Sequence, residues 1–251
     1  MTAITETTTL NQALAAAAET GYAARFYARG GDVDARTFRE IRDDAGRVAA
    51  ALRAAGVERG DRVALVLPTG PGIVKSIFGV LACGATPTCL PTPRLGRLAD
   101  YEESTAAMLD AARAKVVITE ENTKKNLAGS IAAATNKPNL IAVTDLLAEE
   151  NSATLYEEPQ PDDLALIQFS SGTTVNPKPV GLSHANILAN TRAILETFPG
   201  AIADHSGCSW LPLHHDMGLI GGLFTAVVAP GDITLLRPED FISRPLTWLK
   251  A

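Results

Sequence analysis

The apolar residues of this chain follow two patterns, a helical spacing in some segments and short continuous runs in others. Helical spacing is clearest after Thr37, a residue typical of a helix N-cap, and it continues to Gly56. Short apolar runs typical of buried strands lie at residues 62–67, 115–119, 139–143, 164–169 and 233–236. Helical segments separate most of these runs. The sequence therefore predicts an α/β fold in which a mostly parallel sheet is covered by helices.

Further elements follow from the same patterns. An amphipathic segment covers residues 10–20, and Gly30-Gly31 predicts a hairpin turn because glycine accepts positive φ. Helices are predicted at residues 72–82, 99–113, 122–134, 184–197 and 216–228. A strand is expected to end near Leu213. Another helix starts near Asp240, and residues 245–251 continue as an amphipathic helix.

A polar, proline-containing segment at residues 150–163 interrupts these patterns. Such composition is typical of a surface connection between folded parts. We expect two α/β lobes, residues 1–149 and residues 164–251, joined by residues 150–163.

Composition narrows the class of protein. The formal net charge is −6, and the sequence has no stripe of Lys and Arg residues of the kind that binds along a phosphate backbone. Nucleic acid is therefore not expected as a partner. Three cysteines without C-x-x-C spacing predict neither a disulfide framework nor a thiolate zinc site. The N-terminus lacks the features of a secretory signal, and the longest apolar stretch, residues 73–90, is too interrupted for a membrane span. A cytoplasmic protein is expected.

The segment richest in candidate chemistry is SSGTTVNPK at residues 170–178, directly after a predicted buried strand. Four hydroxyls, closely spaced backbone N–H groups and a lysine are suited to binding phosphate oxygens at the edge of an α/β sheet. The segment is not a Walker loop, because no second glycine precedes Lys178. Composition alone leaves an ordinary Ser/Thr/Pro turn equally open.

Phe169–Lys178 resembles the phosphate-binding loop of the adenylate-forming superfamily of acyl-CoA synthetases, fatty acyl-AMP ligases and adenylation domains. The segments VGLSH at 180–184 and WLPLHHDMGLIGG at 210–222 are similar to the family's next motifs, and the second is closest to the fatty acyl-AMP ligase and long-chain acyl branch. GDRVA at 60–64, GATPT at 84–88 and AKVVIT at 114–119 also resemble family segments. The likeness covers most of residues 20–251.

The resemblance implies ATP-dependent activation of a carboxylic acid, a fatty acid in this branch, to acyl-AMP with release of pyrophosphate. It implies Mg²⁺ as a cofactor and transfer of the acyl group to coenzyme A or to the phosphopantetheine thiol of an acyl carrier protein. His215 would lie beside the acid and orient or screen its carboxylate. The residues expected to hold the β- and γ-phosphates are Ser170, Ser171, Gly172, Thr173, Thr174 and Lys178. Metal ligands are left unassigned.

The chain also lacks the family's later motifs, so the resemblance implies an incomplete N-terminal domain that is inactive alone. Two departures affect the loop. Val175 stands where family loops carry glycine, and a β-branched residue resists φ > 0, so a different backbone path is expected there. Pro179 replaces a glycine and removes one N–H donor. A non-catalytic nucleotide- or acyl-binding module is therefore the alternative from another class, and an amino-acid adenylation domain is the alternative within the enzymes.

Other residues near the motifs have ordinary interpretations. His214 and His215 lack the spacing of a helical zinc site, and His184 is expected to begin a helix rather than to catalyse. Asp216 is either a helix-start carboxylate or a functional group. Gly221-Gly222 either allow close helix packing or leave room for an acyl chain.

Overall fold

The computed structural model of the protein describes residues 7–27, 30–93, 98–148, 153–169, 178–199 and 206–251. The strands are β1 Ala23–Tyr27, β2 Val33–Thr37, β3 Arg62–Val66, β4 Thr86–Cys89, β5 Ala114–Thr119, β6 Asn139–Ala142, β7 Leu164–Phe169, β8 Pro179–Ser183, β9 Gly207–Ser209 and β10 Ile233–Leu236. The helices are α1 Leu10–Ala18, α2 Phe38–Ala54, α3 Pro71–Ala82, α4 Leu98–Ala112, α5 Lys124–Ala133, α6 Val143–Leu146, α7 His184–Leu195, α8 Asp216–Gly218, α9 Thr225–Val228 and α10 Pro238–Ser243. The predicted α/β class is confirmed.

One sheet has the strand order β4-β3-β5-β6 and is parallel throughout. Its central strand β3 shows why helices cover both faces. Val63 and Leu65 belong to the main apolar cluster with α2 and α3, whereas Ala64 and Val66 belong to a second cluster with α4 and α5. Successive side chains of a strand point to opposite faces, so the continuous apolar run at 62–67 reflects a doubly covered sheet.

The sheet with the order β2-β1-β10-β9 joins distant parts of the chain. β1 and β2 form the predicted antiparallel hairpin, and Gly30 and Gly31 have φ of 129° and 99°. β1 also pairs in parallel with β10, with Ala24 opposite Ile233. This sheet thus takes strands from both predicted lobes, and the division at residues 150–163 stays a prediction.

Residues 153–163 lie against α2 and α3 through backbone and side-chain contacts. The backbone N–H of Leu155 donates to the Gly46 carbonyl, and that of Glu157 donates to the Ala82 carbonyl. The Tyr156 hydroxyl donates to the Arg42 carbonyl at 3.0 Å. A Cβ at position 46 would collide with the Tyr156 ring in its present position, so glycine allows this close approach. The polar connection is therefore firmly attached to the helices beneath it.

The structure differs from the predicted elements at prolines. β4 contains Pro87 and β8 begins at Pro179, and neither strand was predicted; both lie at sheet edges, where a missing N–H is tolerated. β9 ends at Ser209 rather than near Leu213. The helix predicted for residues 245–251 is also wrong: α10 ends at Ser243, and Pro245–Thr247 forms a single 3₁₀ turn. Proline disfavours the α region for the residue that precedes it, and this accounts for the break at Arg244, before Pro245.

None of the helices within the described ranges has the length and apolar character needed to cross a membrane.

Candidate functional site

The predicted phosphate loop connects the two strands of a hairpin. β7 and β8 pair antiparallel, and Phe169 is opposite Pro179 at the open end. Residues Ser170, Ser171, Gly172, Thr173, Thr174 and Val175 lie outside the described residues, so their predicted roles and the backbone path at Val175 stay predictions. Lys178 is described and is exposed beside the hairpin. The ladder therefore holds both ends of the segment close together.

α7 follows β8 and begins with a capping box. The Ser183 hydroxyl accepts from the Asn186 N–H, and the Asn186 side chain accepts from the Ser183 N–H. His184 is the first residue of α7, as predicted. It is 2% exposed, and its Nδ1 accepts a hydrogen bond from the Leu10 N–H at 3.1 Å. Burial lowers the pKa of His184 to about 4, against a smaller opposing effect of Asp163.

The second motif places His215 at the N-cap of α8. His215 is exposed, and its ring centroid lies 4.5 Å from that of His214. Asp216 begins the helix, and its Oδ1 accepts from the Met217 N–H at 2.8 Å. Its place at the helix start fits the interpretation as a helix-start carboxylate, and its side chain also lines the cavity described below.

Contacts among three aromatic residues hold the start of this motif against residues 241–248. The rings of Trp210 and Phe241 stack with centroids 4.0 Å apart and planes 4° apart. Trp248 lies edge-on to Phe241, and its Nε1 donates to the Cys208 carbonyl at 3.0 Å. The sequence predicted neither contact, because the partners are distant in the chain.

Gly218 lies where the chain crosses its own backbone. A Cβ at this position would collide with the Pro212 carbonyl oxygen and would lie 2.8 Å from that of Leu211. These oxygens belong to backbone and cannot move aside as a flexible side chain would. The glycine therefore allows the 211–212 segment to approach α8.

A π-helix, Leu219–Phe224, lies between α8 and α9. The Thr225 hydroxyl donates to the Ile220 carbonyl five residues earlier, at 2.8 Å. A Cβ at Gly221 would have no atom within 4 Å, whereas one at Gly222 would touch Ile233 and Ser209 at ordinary contact distances. The sequence allowed two interpretations of this glycine pair, close helix packing or room for an acyl chain. Gly221 leaves open space. π-helical segments often mark functional sites.

The open space is a cavity of about 970 Å³, at the upper end of the roughly 300–1,000 Å³ typical of small-molecule sites. It is bounded by the β7–β8 hairpin, α7, β9 and the helical segment 216–228. Its lining includes His215 and Gln168. It also includes Ala229 and Ile233, which follow the helical segment in the chain. Its walls combine apolar residues with a few polar groups. The apolar residues include Leu182, Ile187, Ile194 and Ile220, and the polar ones include Asn190 and Ser209.

Gln168 is a residue of this site that the sequence analysis did not single out. It lies two positions before the phosphate segment, lines the cavity, and donates from Nε2 to the His214 carbonyl at 2.7 Å. A single polar residue at the end of an otherwise apolar strand was the available signal. Gln168 joins the hairpin to the backbone of the second motif.

Comparison with known proteins gives the family of the chain. Residues 14–251 match the family described as AMP-binding enzyme. The chain belongs to this family. A Caulobacter vibrioides protein with the provisional name acyl-CoA synthetase is 36% identical over 248 residues, which cover 96% of this chain and 42% of that protein. The long-chain-fatty-acid–AMP ligase FadD26 of Mycobacterium tuberculosis is 30% identical over 225 residues, covering 88% of this chain and 38% of that protein.

Solved structures give the same family assignment. One from work on fatty acyl-adenylate ligases of E. coli and L. pneumophila has a TM-score of 0.91 and 28% identity, and it covers 98% of this chain and 44% of its own. The L. pneumophila fatty acyl-adenylate ligase in complex with acyl adenylate and pyrophosphate has a TM-score of 0.87 and 25% identity over 100% of this chain and 43% of its own. The chain spans about two fifths of the length of the relatives it matches.

Proposed function

We propose that the protein takes part in ATP-dependent activation of a carboxylic acid, a fatty acid by its motifs, to acyl-AMP. The observation that carries the proposal is a large, mostly apolar cavity whose lining includes residues of the β7–β8 hairpin and His215. An apolar cavity with a few polar groups near the reacting end suits an acid with a hydrocarbon chain.

In the proposed reaction, a carboxylate oxygen attacks the α-phosphorus of ATP. The bond between that phosphorus and the oxygen that bridges the α- and β-phosphates breaks. Pyrophosphate leaves as acyl-AMP forms. Ser170, Ser171, Gly172, Thr173, Thr174 and Lys178 would hold the β- and γ-phosphates, with hydroxyls and N–H groups donating to oxygens and Lys178 supplying a positive charge. Groups fixed in advance around developing charge are the main source of catalysis in such transfers.

His215 is proposed to orient or screen the carboxylate. Its side chain lines the cavity, and its backbone is held from both sides, since its N–H donates to the Pro212 carbonyl and its carbonyl accepts from the Leu219 N–H. A fixed backbone limits the positions of the imidazole. The imidazole would therefore approach the bound carboxylate from a limited range of directions.

Magnesium would offset the phosphate charge. No three His, Cys, Asp or Glu side chains of the described ranges lie together as a metal cluster. In nucleotide sites Mg²⁺ is commonly held by substrate phosphates with one or two carboxylates, so such a site needs no cage built from protein alone. Asp216 is the carboxylate that lines the cavity beside His215 and is the candidate for such a contact.

Two acceptors of the acyl group are proposed, coenzyme A and the phosphopantetheine thiol of an acyl carrier protein. Attack of the thiol on the acyl carbonyl would release AMP and leave a thioester. Of the relatives, the acyl-CoA synthetase is named for the first acceptor, and the fatty-acid–AMP ligase is named for the acyl-AMP product alone. Incubation of the acyl-AMP product with either thiol, followed by mass spectrometry, would distinguish them.

The first test is acid-dependent ATP/pyrophosphate exchange by the protein expressed from its complete reading frame, with fatty, aryl and amino acids of graded size. Lys178→Ala and His215→Ala should each weaken exchange. Lys125→Ala, which removes an exposed lysine on α5, is the matched control and should leave it unchanged. Exchange with amino acids alone would favour an amino-acid adenylation domain. Binding of nucleotide or acid without any exchange would favour the non-catalytic module.

A further inference from the structure

Gln168 is the fifth of the six residues of β7. The three residues before it, Ala165, Leu166 and Ile167, are buried, and Ala165 and Leu166 belong to the main apolar cluster. An apolar side chain at position 168 would continue this run. A half-buried amide stands there instead, at the wall of the cavity.

The amide fixes a single peptide unit next to His215. Its Nε2 donates to the His214 carbonyl at 2.7 Å, and the N–H of the same peptide unit, that of His215, donates to the Pro212 carbonyl at 3.1 Å. A peptide unit is planar, so two hydrogen bonds on opposite sides fix its orientation. The Cα–Cβ direction of His215 is thereby set relative to β7.

We infer that Gln168 is a positioning residue that keeps the turn of His215 in register with the end of β7. In the sequence Gln168 lies two positions before the phosphate segment at 170–178, and in the structure its side chain is bonded to the peptide unit that precedes His215. The inference rests on the proposed function. Gln168 acts through the backbone of the histidine turn and need not touch the acid or the nucleotide.

Only a donor of this length satisfies the geometry. Methionine has a similar length but offers the His214 carbonyl no N–H, and ionised glutamate is acceptor-only and would face the carbonyl oxygen with a like partial charge. Either substitution releases the peptide unit while keeping the volume of the side chain. Activation depends on the alignment of reacting groups, and small displacements can reduce rates on the order of tenfold or more.

The experiment measures kcat and KM for ATP/pyrophosphate exchange in Gln168→Met, Gln168→Glu, His215→Ala and the Gln168→Met/His215→Ala double variant. Both position-168 variants should lower kcat about tenfold with a smaller change in KM. In the His215→Ala background, Gln168→Met should cause no further loss, because its effect passes through His215. Leu164→Ala, at the exposed far end of β7, is the control and should match the wild type.

Unchanged kcat in Gln168→Met, or losses that multiply in the double variant, would overturn the positioning role. If weakened folding caused the loss of kcat, Gln168→Met would have a lower melting temperature, and the losses of the two single variants would multiply in the double variant. That result would also count against the positioning role. Absence of exchange by the wild type would instead overturn the proposed function, and the positioning role with it. The two failures are therefore distinguished by the wild-type measurement.

Discussion

Acidification should destabilise the protein through His184, the buried first residue of α7. Its Nδ1 must be unprotonated to accept the hydrogen bond from the Leu10 N–H, the bond that ties the start of α1 to α7. Burial lowers its pKa from the ordinary 6.5 to about 4. The folded protein therefore resists protonation at this site, whereas the unfolded chain accepts a proton at the ordinary pKa.

The sign and size of the effect follow from this difference. Above pH 6.5 His184 is neutral in both states and its full stabilisation is present. As the pH falls from 6.5 to 4 the unfolded chain binds one proton more than the folded protein, so the free energy of unfolding decreases by up to about 1.4 kcal/mol per pH unit. The loss reaches about 2 kcal/mol at pH 5 and about 3 kcal/mol at pH 4.

Urea unfolding of the wild type and His184→Asn at pH 7.5, 6.5, 5.5 and 5.0 measures this contribution. The asparagine amide oxygen can accept from the Leu10 N–H, but it does not titrate. The difference between the two free energies of unfolding should change with pH as calculated, while carboxylates affect both proteins alike. Parallel curves would refute the reasoning, as would an NMR titration of the folded protein that places the His184 pKa near 6.5.

The remaining predictions concern packing around the second motif and the polar connection. Gly218→Ala should lower the free energy of unfolding by about 2 kcal/mol or more because its Cβ meets the backbone at Pro212, whereas Gly221→Ala, which meets open space, should change it by no more than about 1 kcal/mol. Urea unfolding compares the pair, and equal losses would contradict the geometry. Gly221→Trp should shift exchange activity toward shorter acids without lowering the melting temperature, and an unchanged chain-length profile would show that the acid lies elsewhere. Tyr156→Phe should cost about 1 kcal/mol, through its hydrogen bond to Arg42, in the same unfolding assay; no loss would place residues 153–163 among the weakly attached segments.

Local signals in the sequence predicted most elements. Thr37 accepts from the Glu40 N–H in a complete capping box, and α2 begins at Phe38 as its apolar spacing indicated. The apolar run at residues 62–67 became the centre of a sheet buried on both faces. These features depend on neighbouring residues alone, so the pattern of a single segment is enough to indicate them.

Contacts between distant residues were not predictable in this way. Gln168 gave only a polar interruption in an apolar strand, and its partner at His214 lies 46 residues later. The open space at Gly221 depends on the π-helix and on walls from three other elements. The edge strands β4 and β8 were missed because their prolines indicate loops when edge and centre cannot be told apart.

The parallel pairing of β1 with β10 has a consequence for how the chain folds. Ala23 donates to the carboxylate of Asp232, 209 residues later, and Arg25 pairs with the same carboxylate at 2.7 Å. Closing a flexible loop of that length costs about 5 kcal/mol plus a constant in chain entropy. During synthesis the β1–β2 hairpin must wait until β10 has left the ribosome, and an isolated two-stranded hairpin is marginal in water. The sheet β4-β3-β5-β6 uses only residues between 62 and 142, so its strands can pair much earlier. We therefore expect β1, the first strand of the chain, to be among the last to reach its final place.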